Sequence, residues 1–431
     1  MKIAVIHGEV AAGAGFDEQD VLTQVDCVSR GLAALGHKPV AVPVSLNLQA
    51  TARMLTDLQP AMAFNLVETI ASQGRLIHIV PALLDALKIR YTGAATEAML
   101  LTSNKLLAKR WLTAVGLPTP PWFTGNEADP LCGDGSPSTT STARIGPRPA
   151  HPDGTGNDAD GREVRPPSPD RPEAKAWVVK SVWEHASVGL DEDSVLFGAD
   201  RKRLIAEMDA RRESLGGECF AEAYIDGREF NLSLLATGAE ASPGGRVTFP
   251  CDKHFPPERA NGRDKGAGMD RRVSDYAFLR CRNARGIGPA GQHEIGPARV
   301  CDPEVLPPAE IRFDAYPPGK VRVVGYRSKW KEGSFEFANT PRSFDFPVQD
   351  AALLADLGEL ALRCWRLFGL RGYARVDFRV DEEGRPWILE VNANPCLSPD
   401  AGFFAAALRA DLDFPAVLTR IIQNTRERPR C

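Results

Sequence analysis

Hard oxygen donors and a guanidinium are grouped near the C-terminal end of this chain, in Arg375-Val376-Asp377-Phe378 and Ile388-Leu389-Glu390-Val391-Asn392-Ala393-Asn394-Pro395. Asp-Glu-Glu-Gly at 381–384 separates two apolar runs with turn residues, so the pattern predicts a β-hairpin over 375–392. Side chains alternate faces along a strand, which puts Glu390 and Asn392 on one side, with Asp377 able to face them from the partner strand. Two carboxylates and a carboxamide, with no His or Cys among them, suit Mg²⁺. That ion takes a few oxygens at about 2.1 Å and shares the rest of its shell with phosphates. Arg375, two residues before Asp377, shares that face and is placed to hold a developing anion. An ordinary hairpin with solvated charges is the plainer reading of the same residues.

Further upstream, Trp177-Val178-Val179-Lys180 is a strand ending in lysine, followed by the loop Ser181-Val182-Trp183-Glu184-His185-Ala186-Ser187-Val188-Gly189. An ammonium leaving a buried strand beside a small-residue loop can neutralise phosphate charge while loop amides and the Ser187 hydroxyl cover it. It is no Walker loop, because Gly-x-x-x-x-Gly-Lys is missing. Glu222-Ala223-Tyr224-Ile225-Asp226-Gly227-Arg228-Glu229 reads as two strands joined by an Asp-Gly turn. Its backbone can address an adenine edge, and Glu229 can accept from ribose hydroxyls. Lys105, Lys180 and Lys329 stand on separate elements and can converge on a triphosphate opposite Asp377, Glu390 and Asn392. Lysines, phosphates and a divalent metal are the recurring parts of phosphoryl transfer.

These residues need a frame. The first hundred positions alternate strand and helix: strands at 2–6, 39–44 and 61–65, helices at 21–35, 47–58 and 74–87. That order implies a parallel sheet with helices on its faces and ligands beyond the strand ends. Here those ends carry His7-Gly8-Glu9 and Asn65-Leu66-Val67-Glu68. Helix 103–115 is expected to be capped by Ser103 or Thr102 and stopped by Gly116. Strands follow at 176–181, 218–225 and 229–236, with a helix near 199–212. Later come a strand at 309–314, a β segment around 321–338, a helix over 349–368, the hairpin and C-terminal helices. This half reads as α+β with mostly antiparallel strands. Segments 125–175 and 239–300 are rich in Gly, Pro, Arg and polar residues without apolar periodicity, and read as disordered insertions. Cys251, His254, Cys281 and His293 in the second match no zinc spacing.

At 431 residues more than one core is expected. The assignment is an N-terminal α/β unit over 1–100, a central unit over 101–235 and a C-terminal unit over 236–431. A net charge of -4 argues against nucleic acid as the main partner. No apolar run reaches the roughly 18 residues of a membrane span. Nine scattered cysteines without a Cys-x-x-Cys pair suggest reduced thiols and a cytoplasmic location. A dinucleotide reading of the N-terminus fails for want of Gly-x-Gly-x-x-Gly. His7 reads as a strand-end residue, and Cys396 as a contributor of backbone only.

In their order along the chain these motifs resemble the ATP-grasp superfamily and, within it, the D-alanine–D-alanine ligases. The series runs from Ile89-Arg90-Tyr91-Thr92-Gly93, Asn104-Lys105 and Gly116-Leu117-Pro118-Thr119-Pro120 through Val179-Lys180 and Ser187-Val188-Gly189 to Glu222…Glu229. It ends with Arg375-Val376-Asp377…Glu390-Val391-Asn392-x-x-Pro395. The resemblance implies an ATP-grasp fold, α/β plus α+β, with an N-terminal parallel-sheet (pre-ATP-grasp) domain. It implies ATP, and two Mg²⁺ ions (Mn²⁺ as the alternative) on Asp377, Glu390 and Asn392. Lys105 and Lys180 would bind α/β-phosphates. Glu222, with the backbone of Ala223 and Ile225, would hold adenine, Glu229 the ribose, and Lys329 the terminal phosphates. Arg375, with the amide near Cys396, would form the oxyanion site. A homodimer and a place in cell-wall synthesis are further implications.

Departures concentrate on the substrate side. Gly8-Glu9 replaces the usual Gly-Gly after the first strand. Asn65-Leu66-Val67-Glu68…Gln73-Gly74-Arg75 replaces His-Gly…Gly-Glu-Asp-Gly. His185 and Ala186 stand for Gly and Ser in the phosphate loop, and Cys396-Leu397-Ser398-Pro399-Asp400-Ala401-Gly402-Phe403 replaces the Gly-Met-Thr and Ser-x-Ser-Leu stretch. The expectation is an ATP-dependent carboxylate–amine ligase acting through an acyl phosphate on amino acids or peptides. Glu68 and the Glu18/Asp20 pair are candidates for orienting an ammonium group. A ligase for another substrate pair, or a non-catalytic ATP-binding regulatory or scaffold protein, are the alternatives.

Overall fold

The computed structural model describes residues 1–11, 13–125, 176–184, 187–237 and 302–426, without the side chains of 16–18. The expected insertions, except Gly125, therefore lie outside the described residues, as do His185, Ala186 and the Glu18 side chain. The chain begins β1 (Lys2–Gly8), α1 (Phe16–Ala34), β2 (Lys38–Val44), α2 (Leu48–Leu58), β3 (Met62–Asn65), α3 (Ile79–Ala86), α4 (Thr96–Ser103), α5 (Lys105–Ala114) and β4 (Trp122–Phe123). It continues β5 (Ala176–Ser181), β6 (Val195–Phe197), α6 (Arg201–Arg211), β7 (Cys219–Ala223), β8 (Arg228–Leu235), β9 (Glu304–Val305) and β10 (Ala309–Ile311). It closes α7 (Tyr326–Trp330), α8 (Phe335–Ala338), β11 (Arg342–Ser343), α9 (Ala351–Leu367), β12 (Tyr373–Val380), β13 (Pro386–Asn392), α10 (Gly402–Arg409) and α11 (Phe414–Arg426).

The N-terminal strands form the expected parallel sheet, in the order β2-β1-β3. Strands β1 and β3 are buried on both faces, as the interior of a parallel sheet requires, whereas the edge strand β2 buries only Val42 and Val44. Ile3, Val5, Met62 and Phe64 pack on Val25, Val28 and Leu32 of α1 and on Val417, Leu418 and Ile421 of α11. Ala4, Ile6 and Ala63 pack on Leu55 of α2 and Val80 and Leu84 of α3. The helix expected over 74–87 is broken: a 3₁₀ turn at Gly74–Leu76 precedes α3. The cap expected at Ser103 or Thr102 is instead Asn104, whose side chain accepts from the Leu107 amide at 2.9 Å and starts a second helix right after α4.

Two antiparallel sheets follow. One has the order β4-β7-β5-β6, and α6 covers one of its faces with Leu204 and Met208. The other has the order β11-β10-β8-β12-β13, with β9 paired to β8. Alternation divides this second sheet cleanly. Phe230, Leu232, Leu234, Val376, Phe378 and Val380 face Leu354, Leu357, Ala361 and Trp365 of α9, leaving Glu229, Asn231, Arg375, Asp377 and Arg379 on the opposite face.

The two strands read on either side of Asp226-Gly227 are present but do not pair with each other: β7 lies in the four-stranded sheet and β8 in the six-stranded one, so Asp226-Gly227 is the crossover between them. The chain needs glycine there, because Gly227 has φ +138° and an added Cβ would stand 2.1 Å from the Val380 carbonyl oxygen. The β segment expected around 321–338 is mainly two short helices, α7 and α8. Ser334 caps α8 by accepting from the Phe337 amide at 3.1 Å, a local bond that outweighs the aromatic β-propensity of Phe335 and Phe337.

Candidate active site

The hairpin forms as read, β12 against β13, with Arg375 opposite Asn392 and Asp377 opposite Glu390. Directly opposed residues share a face, so all four point the same way. The register shifts between Asp377 and Phe378, which pairs with Ile388. This β-bulge turns Ile388 into the core while Glu390 and Asn392 keep the cleft side. Its backbone is satisfied from outside the sheet: the Ile388 amide donates to the Pro118 carbonyl at 2.9 Å, and the Thr119 hydroxyl donates to the Ile388 carbonyl at 3.0 Å.

Arg375 donates to both Asp377 oxygens, Nε–Oδ1 2.7 Å and Nη2–Oδ2 2.8 Å. Asn231 Nδ2 adds a third donor at 2.8 Å. Burial works against the Arg375 charge, but Asp377 and Glu390 outweigh it and raise its pKa. Asn392 Oδ1 accepts from the Asn394 amide at 3.0 Å. Lys105, the first residue of α5, stands 3.7 Å from Glu390 and donates to the Glu184 carbonyl at 2.7 Å. Lys329 on α7 feels the charges of Arg375, Glu390, Asp377 and Glu229. Its side chain keeps accessible surface while protein surrounds it, the signature of a residue lining a cleft. Burial and Arg375 together lower its pKa. The structure thus gathers Lys105, Lys329, Arg375, Asp377, Glu390 and Asn392.

Lys180 belongs to a second cluster. On β5 and β7, Val178 stands opposite Glu222 and Lys180 opposite Phe220. The Glu222 carboxylate, 1% exposed, takes both the Lys180 ammonium and that of Lys109, which is 2% exposed. Lys109 also donates to the Thr119 hydroxyl at 2.8 Å and the Pro120 carbonyl at 3.1 Å. Burial raises the Glu222 pKa, but two ammoniums outweigh it and the net shift is downward. Lys109 receives only a share of one carboxylate, and burial takes it down to about 8. Lys109 was not anticipated; its signal was its position one turn after Lys105 on the same helix face.

The nucleotide-side candidates are placed less simply. The Ala223 amide donates to the Pro121 carbonyl at 2.8 Å, and Ile225 lies in the crossover. Glu229 pairs with Arg379 at 2.7 Å. Arg379 and Asn231 were also missed, although each lies two residues from a predicted site residue. Ser187, at φ +62°, donates its hydroxyl to the Val324 carbonyl at 3.0 Å. The Tyr326 amide donates to the Leu190 carbonyl at 3.0 Å, so this loop is tied to the segment leading into α7.

On the substrate side, Glu68 accepts from Gln24 at 3.2 Å, and Gln24 accepts from the Leu397 amide at 3.1 Å. Asp20 accepts from the Ser398 hydroxyl at 3.2 Å and the Cys396 thiol at 3.2 Å. Burial raises the Asp20 pKa, and burial, Glu68 and Asp20 raise that of Cys396, so the thiol is no nucleophile. A cleft of about 570 Å³ opens beside these groups, lined by Gly8, Glu9, Glu68, Arg75, Glu184 and Val188 among others.

Among the described residues there is no group of three or more His, Cys, Asp or Glu placed for a metal. The hairpin row offers two carboxylates and one carboxamide, hard donors of the kind Mg²⁺ takes, with both Asp377 oxygens bound by Arg375 in this structure. No helix among the described residues is long and apolar enough to cross a membrane.

Residues 302–423 match the family model for the D-ala D-ala ligase C-terminus. Similar proteins include a D-alanine–D-alanine ligase of Synechococcus sp. (strain JA-3-3Ab), 24% identical over 99% of this chain and 94% of the relative. One of Moorella thermoacetica is 23% identical over 98% of each. The crystal structure of the D-alanine–D-alanine ligase from Bacillus anthracis complexed with ATP superposes with TM-score 0.57 at 16% identity, covering 99% of this chain and 97% of that one. Over residues 302–423 the chain matches the D-ala D-ala ligase C-terminus, and along nearly its whole length it is similar to D-alanine–D-alanine ligases and has their ATP-grasp fold.

Proposed function

We propose that the chain is an ATP-dependent ligase joining a carboxylate to an amine through an acyl phosphate. The observation that carries this reading is the row Arg375, Asp377, Glu390 and Asn392 on one face of the sheet, with Lys105 and Lys329 converging on it. Two relatives that span nearly the whole chain carry the name D-alanine–D-alanine ligase, and a solved neighbour is complexed with ATP.

A carboxylate cannot expel oxide, so a donor oxygen attacks the γ-phosphorus of ATP, the bond to the bridging oxygen breaks, and ADP leaves. Lys329 and Lys105 offset charge spreading over the transferred phosphoryl group. A divalent cation held by Asp377, Glu390 and Asn392 would supply further neutralisation of phosphate charge. The amine then attacks the acyl carbon, Arg375 steadies the tetrahedral oxyanion, phosphate leaves and the nitrogen gives up a proton. The 180–189 loop excludes water from the acyl phosphate. Glu222, Ala223, Ile225 and Glu229 attend the nucleoside, Ser187 the phosphates, and Glu68 with Asp20 an ammonium group. The three-unit division, a second copy in a dimer and a cytoplasmic setting belong to the same reading.

The rebuilt segment 396–403, bound to Asp20 and Gln24 instead of carrying Ser-x-Ser-Leu, favours a substrate pair other than two D-alanines. The test is ADP formation with Mg²⁺ against D- and L-amino acids, singly and in pairs, with products identified by mass. An amide product confirms the ligase and names its substrates. ATP binding without ADP formation across the panel would move the weight to a substrate outside the panel or to the scaffold reading.

A further inference from the structure

Arg342 was not among the expected site residues, yet the sheet carries it to the site's face. It stands opposite Ile311 in β11–β10; Ile311 is opposite Glu229 in β10–β8, and Glu229 is opposite Arg379 in β8–β12. Residues opposed across a ladder share a side, so Arg342 occupies the same face as Arg375, Asp377 and Arg379. Its guanidinium extends to the first residue of α10. A Cβ added at Gly402 would lie 3.4 Å from Arg342 Nε and 3.6 Å from both Cζ and Nη2. The helix starts there with the residue that leaves most room for an arginine.

The arginines of this face differ in one respect. Arg375 is closed on Asp377 and Arg379 on Glu229. Arg342 has no hydrogen-bond or ion-pair partner among the described residues, although Asp400 lies within electrostatic reach. Arg342 is exposed by accessible surface, while neighbouring protein and the like charge of Arg375 act against its charge and Asp400 in part offsets them. An exposed guanidinium on the site's face, repelled by a second one and without an ion pair among the described residues, is a site for an anion from outside.

We propose that Arg342 clamps a free carboxylate on the amine-bearing substrate, making it a specificity-determining residue and the substrate an amino acid or peptide rather than a simple amine. The inference rests on the ligase reading. The donor's reacting carboxylate loses its charge at the phosphates, which Lys105, Lys180 and Lys329 serve from other elements. A lasting anion site on the α10 side of Arg375 therefore suits the partner that keeps its carboxylate. The same guanidinium chemistry would take a phosphate, so the experiment separates the two sources.

With the substrate pair found by the panel, KM is measured for the amine-bearing amino acid, its α-carboxamide and ATP, in wild type, R342Q and R342K. Loss of one charge-assisted clamp should raise KM for the amino acid roughly 10- to 100-fold in R342Q. The KM for ATP should stay put, R342K should recover part of the loss, and R342Q should no longer distinguish acid from carboxamide. Equal use of acid and carboxamide by wild type overturns the proposal, as does a loss in R342Q confined to ATP. An Asp400→Asn variant that reproduces R342Q in every readout would also overturn it, making Arg342–Asp400 an internal pair. Should no pair turn over, the ligase reading fails separately. The clamp is then read by titrating glycine, D-alanine, L-alanine and their carboxamides into protein loaded with a non-hydrolysable ATP analogue. Acid-selective binding lost in R342Q sustains it, and binding that ignores the carboxylate or the variant removes it.

Discussion

Two charge clusters lie on either side of the crossover at Gly227, and they are built oppositely. In the Lys109–Glu222–Lys180 cluster the carboxylate is sealed between two ammoniums, and Lys109 spends further donors on Thr119 and Pro120. In the hairpin cluster Arg375 is matched to Asp377, but Lys329 and Arg342 have no ion pair among the described residues. A buried cluster that closes on itself holds elements in place, because a buried charge without a partner is costly. A cleft with surplus cations is complete only when an anion arrives. The contrast separates a cluster that closes on its own charges from one that leaves cations for an anion.

Three substitutions should separate the clusters most sharply. Asp377→Ala and Glu390→Ala should each lower kcat on the order of 10³-fold or more, since metal-held charge stabilisation is worth several kcal/mol. Far-UV circular dichroism should stay unchanged, and retained activity in a Mg²⁺-titrated ADP assay would sink the assignment. Glu222→Ala should do the reverse and cost about 3–5 kcal/mol of stability, because it strands Lys109 in the interior. Urea denaturation reads that loss, and a variant as stable as wild type would mean the cluster is not closed as described. A smaller effect is expected for Lys329→Ala. Here kcat falls about 10²-fold, as for one lost oxyanion donor, while the urea midpoint holds or rises because a charge beside Arg375 is gone. A fall in stability with normal kcat would move Lys329 into the closed class.

Legibility in the sequence followed the range of the interactions. The parallel sheet, α9 and the Arg375–Asn392 hairpin were readable because period and turn chemistry are local. The same local reading found two strands and an Asp-Gly turn at 222–229, and such a turn looks alike whether the strands pair or part into two sheets. Gly227 against Val380 decides that, and the contact spans 153 positions in sequence order (380 − 227). Lys109 on α5 went unread because its partner Glu222 comes from a strand more than a hundred positions further along the chain. Arg342 sits on a two-residue strand too short to show any period. The bulge that sends Ile388 inward and Glu390 outward breaks strict alternation, and no turn residue marks it.

The least disruptive probe of the closed cluster is pH. Glu222 has a folded pKa below its ordinary 4.5, so as pH falls the unfolded chain binds this proton first. Its contribution is therefore complete above pH 4.5 and drains away as pH drops through the folded value. Lys109 behaves likewise at the other end. Its folded pKa of about 8 lies below the ordinary 10.5, so stability should climb between pH 8 and 10.5, where only the unfolded chain still gains the proton. Glu222→Gln keeps the shape and removes the charge. The urea midpoint against pH should then lose part of its fall below 4.5. The alkaline rise should begin below 8, because Lys109 has lost the group that held its proton. An acid limb identical to wild type would show that Glu222 is not ionised between the lysines, and the distinction between closed and open clusters would have to be redrawn around Lys180 alone.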